Sequence, residues 1–125
     1  MIPLAHAALG IGAALGFLAV MFGAFGAHAL KTRLTPELLT IWKTANEYHF
    51  YHALALVLVG LLARQTKLAG LDIVAACFLA GVLVFSGSLY VLALTGTRWL
   101  GAITPIGGLL FLAGWAWLSW SALRN

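Results

Sequence analysis

The sequence predicts an all-α fold: a polytopic membrane protein in which four transmembrane helices form an antiparallel bundle, the second helix carrying a polar N-terminal extension. Three observations predict it. The 125 residues are 63 % hydrophobic and only 8 % charged, where soluble domains carry about 25 % charged residues. Mean hydropathy is +1.04. The apolar residues also fall in long runs, with Lys and Arg at or between them. Most of such a surface is solvated by lipid, and a chain of this length forms one domain, since a domain takes about 100 to 200 residues.

The first run extends from Leu4 to Ala27 with no Lys, Arg, Asp or Glu. At about 1.5 Å per residue it covers about 36 Å, enough for a hydrocarbon core of about 30 Å. Ala8, Gly12 and Gly16 recur at every fourth residue and predict a smooth ridge for close helix packing. The Ala27-His28-Ala29 end imitates a secretory cleavage site, but the run lacks a basic leader and is too long for a signal core, so a retained helix is expected.

The second run, Tyr48 to Ala63, covers only about 24 Å and is too short to cross upright. Upstream, Thr35, Pro36 and Glu37 supply an N-cap, a first-turn proline and a first-turn acid, so the helix is expected to start near residue 36. Its crossing part is placed at about 42–63. Lys43, Asn46 and Glu47 then fall in the headgroup region, with Lys43 and Glu47 spaced to pair. Arg64 to Gly70 forms a loop, and Asp72 stands at the start of the third span, about 72–94. Thr95-Gly96-Thr97-Arg98 turns into the fourth, about 100–123, with Pro105 in its first turn. Trp99 marks its near interface, and Trp115, Trp117 and Trp120 its far one.

Seven Lys and Arg against three Asp and Glu give a net charge of +4. Lys31, Arg33, Lys43, Arg64, Lys67, Arg98 and Arg124 are scattered among the span ends, where they meet lipid headgroups, so the footprint of a nucleic-acid protein is missing. Membrane lipid is the expected partner, together with a second copy or a membrane-complex subunit. Three basic residues on the side of the termini against four on the other do not choose an orientation. Cys77 stands alone in an apolar run and reads as a small apolar residue, with no disulfide framework and no cysteine metal motif.

Topology supplies the functional clue. The end of the first span, the start of the second, the end of the third and the start of the fourth share one side. That side is expected to collect His28, Glu47, Tyr48, His49, Tyr51, His52, Tyr90, Arg98 and Thr104, and polar residues at membrane depth usually face a bundle interior or cavity. At about 100° per residue Tyr48, His49 and His52 share one helix face and Glu47 and Tyr51 another. No metal is predicted, because no carboxylate joins the His49/His52 face. Haem ligated by His28 with His49 or His52 is the redox alternative. Ser86 and Ser88 are expected to bond to helix carbonyls. The expected function is non-enzymatic binding of a lipid headgroup, a quinone-like ligand or a partner helix. A redox protein and an oligomeric small transporter are the alternatives, and no catalytic residue is predicted.

Gly23 to Leu30, Glu47-Tyr48, His52 to Ala55, Ser86 to Tyr90, Ala93-Leu94 and Thr104 to Gly108 together resemble the motifs of a family of small bacterial inner-membrane proteins related to YgdD and YwdK, domain of unknown function 423. The resemblance touches all four spans. It implies four helices in the bacterial cytoplasmic (inner) membrane and no established catalytic residues. His28, Glu47, Tyr48, His52, Ser86, Ser88, Tyr90, Thr104 and Pro105 occupy motif positions, and Arg98 joins them as a candidate through topology alone.

Overall fold

The computed structural model describes residues 3–124. Among them there is no strand, and the chain forms four helical rods: α1 (Leu4–Leu30), α2 (Pro36–Gln65), α3 (Leu71–Thr95) and α4 (Thr104–Arg124). A 3₁₀ turn, Arg98–Ala102, leads into α4.

The helix ends follow from local chemistry. Thr35 accepts a hydrogen bond from the Leu38 N–H at 3.2 Å, Pro36 occupies the first turn and Glu37 meets the positive end of the helix dipole. Gly70 and Gly96 bracket α3 with φ of 78° and 72°, left-handed conformations that strain any side chain bearing a Cβ. Gly70 thus occupies the N-cap position of α3, and Asp72 contributes its charge from the first turn without capping.

Sequence neighbours run antiparallel. A Cβ added at Gly12 would lie 2.9 Å from the Val57 amide nitrogen, and one at Gly60 would lie 2.9 Å from that of Leu9, so α1 and α2 touch backbone to backbone. Further along, Gly23 meets Asn46 and Gly26 meets Trp42. The predicted ridge is corrected here: Gly12 and Ala8 are buried, but Gly16 faces open space. A four-residue spacing drifts around a helix of about 3.6 residues per turn, and the contact line moves to Ala19, Gly23 and Gly26. α4 returns along α3, with Gly114 against Phe78 and Gly107 against Phe85. Val59, Val74 and Phe78 form the fully buried centre, while Phe17, Leu58, Leu83, Leu109 and Leu112 point outward.

Leu4–Leu30, Leu71–Thr95 and Arg98–Arg124 are long and apolar enough to cross a membrane. α2, with Glu37, Lys43 and Glu47 in its first half, is not among them.

α1 and α3 each contain one wide π turn, at Phe22–Gly26 and Val82–Ser86. Such turns loosen the regular backbone ladder and frequently mark functional sites.

Candidate functional site

α2 fills the wide turn of α1 with side chains. The Trp42 indole N–H donates to the Phe22 carbonyl at 3.0 Å, and the Asn46 amide donates to the Ala19 carbonyl at 2.8 Å. The same Asn46 nitrogen donates to the Tyr90 hydroxyl at 3.2 Å, and Tyr90 lies 2.8 Å from Nδ1 of His49. The Trp42, Phe22 and Tyr90 rings pack around this chain, with centroids 4.6 Å apart for Trp42–Tyr90 and 5.3 Å for Phe22–Tyr90.

The Tyr90 oxygen accepts from Asn46 and can still either donate to His49 Nδ1 or accept a second bond from Nδ1–H, according to the His49 tautomer. The His49 side chain is only 3 % exposed, and Nε2 is a buried atom without a well-formed hydrogen bond, the nearby Leu15 carbonyl being its polar neighbour. His49 is one of the residues around a largely apolar groove of about 160 Å³ shared with Leu15, Phe22, Leu83, Gly87 and Tyr90.

His52, one turn along, is arranged differently. Its Nδ1 lies 2.8 Å from the Tyr48 carbonyl, which can only accept, and its Nε2 accepts from the Trp115 indole N–H at 3.0 Å. The ring stacks on Phe111 at 3.6 Å between centroids. All its polar atoms are used.

The other candidates divide into separate groups. Ser86 donates to the Ala45 carbonyl at 2.7 Å, and Ser88 pairs with Thr104 at 2.6 Å while bonding the Phe85 carbonyl. Tyr48, on the same side of α2 as His52, packs on Phe85 and is partly exposed. Arg98 forms an exposed ion pair with Glu37 at 2.8 Å, which holds the Glu37 carboxyl below the usual carboxylate range. Glu47 is exposed and shares a surface groove with Lys43, and among the described residues the two make no ion pair.

The expected gathering of these residues at one end is therefore corrected. His28 is exposed in the last turn of α1. Because Gly26 already meets Trp42, His28 lies at least about 10 Å along the axis from His49, counting about 1.5 Å per residue. The two do not face one another, and neither do His28 and His52. Helix ends were paired by topology, whereas register along the rods places His49 and His52 at mid-length of α2. Among the described residues no group of three or more His, Cys, Asp and Glu is placed to hold a metal ion.

The sequence gives no motif for the parts played by Trp42 and Phe22, and it places Asn46 among the headgroups and Trp115 at the interface, where the structure turns both toward neighbouring helices. The available signal was the shared α2 face of Trp42, Asn46 and His49, spaced four and three residues apart, with Tyr90 as the polar residue of the facing span.

A family model described as protein of unknown function (DUF423) matches residues 22–108. The chain is 44 % identical over 114 residues to the UPF0382 membrane protein SH2409 of Staphylococcus haemolyticus, covering 91 % of this chain and 93 % of the relative. It is 44 % identical over 108 residues to SSP2132 of Staphylococcus saprophyticus, covering 86 % and 89 %. With the UPF0382 membrane protein YwdK of Bacillus subtilis it shares 43 % over 117 residues, covering 91 % and 94 %. No solved structure is significantly similar.

Proposed function

The chain belongs to the DUF423 family of unknown function, whose relatives are named membrane proteins, and on that premise we propose that it is a non-enzymatic, multi-pass protein of the bacterial cytoplasmic membrane that holds a lipid-soluble ligand in its polar core. In this reading α2 is the fourth span. Beyond Phe50 its outward residues Leu54, Leu58 and Leu61 are apolar and exposed, and Lys43 and Glu47 lie toward its start. Ser86, Asn46 and Trp42 spend their polar atoms on carbonyls of neighbouring helices, which favours a scaffold over a set of groups converging on a reacting atom. The observation that carries the binding reading is Nε2 of His49, buried beside a groove without a well-formed hydrogen bond, since such a group is costly in an apolar interior.

Two measurements test it. In a Cys77→Ser background, Arg33→Cys and Lys67→Cys should react with an impermeant maleimide from opposite sides of the membrane; labelling from one side removes α2 as a span. Native mass spectrometry after gentle release should show the chain carrying small-molecule mass, and a bare chain from every membrane tested would sink the binding reading.

A further inference from the structure

The seam between α1 and α2 carries two cavities of different character, on the side away from the groove that Leu15 and Phe22 share with α3. The outer one holds about 200 Å³ and lies between Gly23 and Ala27 of α1 and Trp42, Lys43, Asn46 and Glu47 of α2. The inner one, about 500 Å³, is lined by apolar residues alone, among them Ala13, Gly16, Val20 and Phe50. Val20 and Gly23 are one turn apart on α1, as Glu47 and Phe50 are on α2, so the two cavities follow one another along the seam. Lys43 and Glu47 mark its headgroup end. From Ala13 to Met21 the apolar part rises about 12 Å, against about 15 Å for the hydrocarbon of one leaflet. A polar end at the membrane edge with an apolar trough below it has the outline of a single membrane lipid.

The outer cavity says which headgroup. Residues four apart on a helix have Cβ atoms about 5 to 6 Å apart, yet among the described residues Lys43 and Glu47 make no ion pair. A cation and an anion left open beside one cavity match a zwitterion. Asn46 adds a second acceptor. Its Nδ2 is spent on the Ala19 carbonyl and the Tyr90 hydroxyl, which fixes the orientation of the amide. Its Oδ1 faces Gly23 and accepts no hydrogen bond among the described residues. Of their buried side-chain polar atoms only Nε2 of His49 lacks a partner, so Asn46 Oδ1 keeps accessible surface. An ammonium with N–H groups can use both acceptors. A trimethylated one has no N–H to give and calls for an aromatic cage, whereas Trp42 is buried with its N–H bonded to the Phe22 carbonyl.

We propose that this seam seats one phospholipid of the phosphoethanolamine class. Lys43 donates to the phosphate, the headgroup ammonium donates to the Glu47 carboxylate and to Asn46 Oδ1, and one acyl chain lies along Val20 and Gly16. The site is separate from the polar core invoked above and does not depend on it.

The test is native mass spectrometry of the full-length protein released from detergent, with equimolar dioleoyl phosphatidylethanolamine, phosphatidylcholine and phosphatidylglycerol as probes. The natural protein should retain the ethanolamine lipid at least tenfold over either of the others. Glu47→Gln, at an exposed position, should bring the ethanolamine and choline lipids to parity. Gly16→Phe should weaken ethanolamine-lipid retention at least tenfold by filling the trough, and it is tolerated because nothing lies within 4 Å of a Cβ there. Soluble glycerophosphoethanolamine should compete at least tenfold less well than the lipid. No preference in the natural protein, a preference that survives Glu47→Gln, unchanged retention by Gly16→Phe, or equal competition by the soluble headgroup overturns the proposal. A lipid-free dimer that Gly16→Phe breaks puts a second copy in the seam and overturns it too.

Discussion

The indole N–H of Trp115 donates to Nε2 of His52, whose Nδ1 is bonded to the Tyr48 carbonyl. This places the His52 proton on Nδ1. Two histidines three residues apart on one helix are thus held by residues from different neighbouring rods, His49 by Tyr90 and His52 by Trp115. In ¹⁵N spectra the His52 ring should show the neutral pattern protonated on Nδ1; a pattern protonated on Nε2 would contradict the bond directions.

Trp115→Phe keeps the ring and removes the donor. It should lower unfolding stability in detergent by about 1 kcal/mol, near the values of about 0.6 to 1.7 kcal/mol for hydrogen bonds between membrane helices. Trp120→Phe, at an exposed position, should change little, and equal losses would show that the ring rather than the bond matters at position 115.

Gly12→Ala should cost about 1 to 3 kcal/mol, as overpacking does, because the new methyl meets the backbone of Ala53 and Val57 at 3.0 and 2.9 Å. Gly16→Ala should be neutral or stabilising, since the site is open and alanine favours helix over glycine by about 1 kcal/mol. Thermal unfolding in detergent ranks the pair, and the reverse order would refute the α1–α2 contact.

Glu37 and Arg98 join the start of α2 to the turn before α4. The folded carboxyl titrates below its ordinary value, so its contribution is complete above the unfolded carboxylate range, about pH 4.3, and disappears as pH falls through the lower folded value. Both groups are exposed, so the effect is small and screened. Glu37→Gln should lower the melting temperature slightly at pH 7 in low salt, and the difference from the natural protein should shrink as pH falls below the carboxylate range and vanish in molar salt. A difference that persists in molar salt would point to another cause.

Ser88 and Thr104 share a 2.6 Å contact between α3 and the start of α4. A double-mutant cycle with Ser88→Ala and Thr104→Ala should return a coupling of about 0.6 kcal/mol, while Ser88→Ala with the distant Thr66→Ala should return none.

Composition and apolar runs made the helices legible, and Thr35-Pro36-Glu37 made the start of α2 legible, because these are local signals. The outward setting of Glu47 and Tyr51 and the burial of His49 and His52 were readable from helical phase. The site was not. Which residue of α1 lies opposite Asn46 depends on packing at Gly12 and Gly23, and on an extra residue in a wide turn that no short motif announces. Ser86 and Ser88 illustrate the boundary: bonding to carbonyls was foreseeable, but the choice of Ala45 and the pairing with Thr104 come from tertiary register.

The wide turn at Phe22–Gly26 also changes what a length mutation does to α1. In a regular helix, removing one residue rotates everything beyond it by about 100°. Here the turn already holds one residue of slack, so a single deletion inside it would restore ordinary winding and leave both flanks on their present faces. What such a deletion takes away is the socket into which Trp42 is plugged, so that α1 would keep its shape and lose its latch.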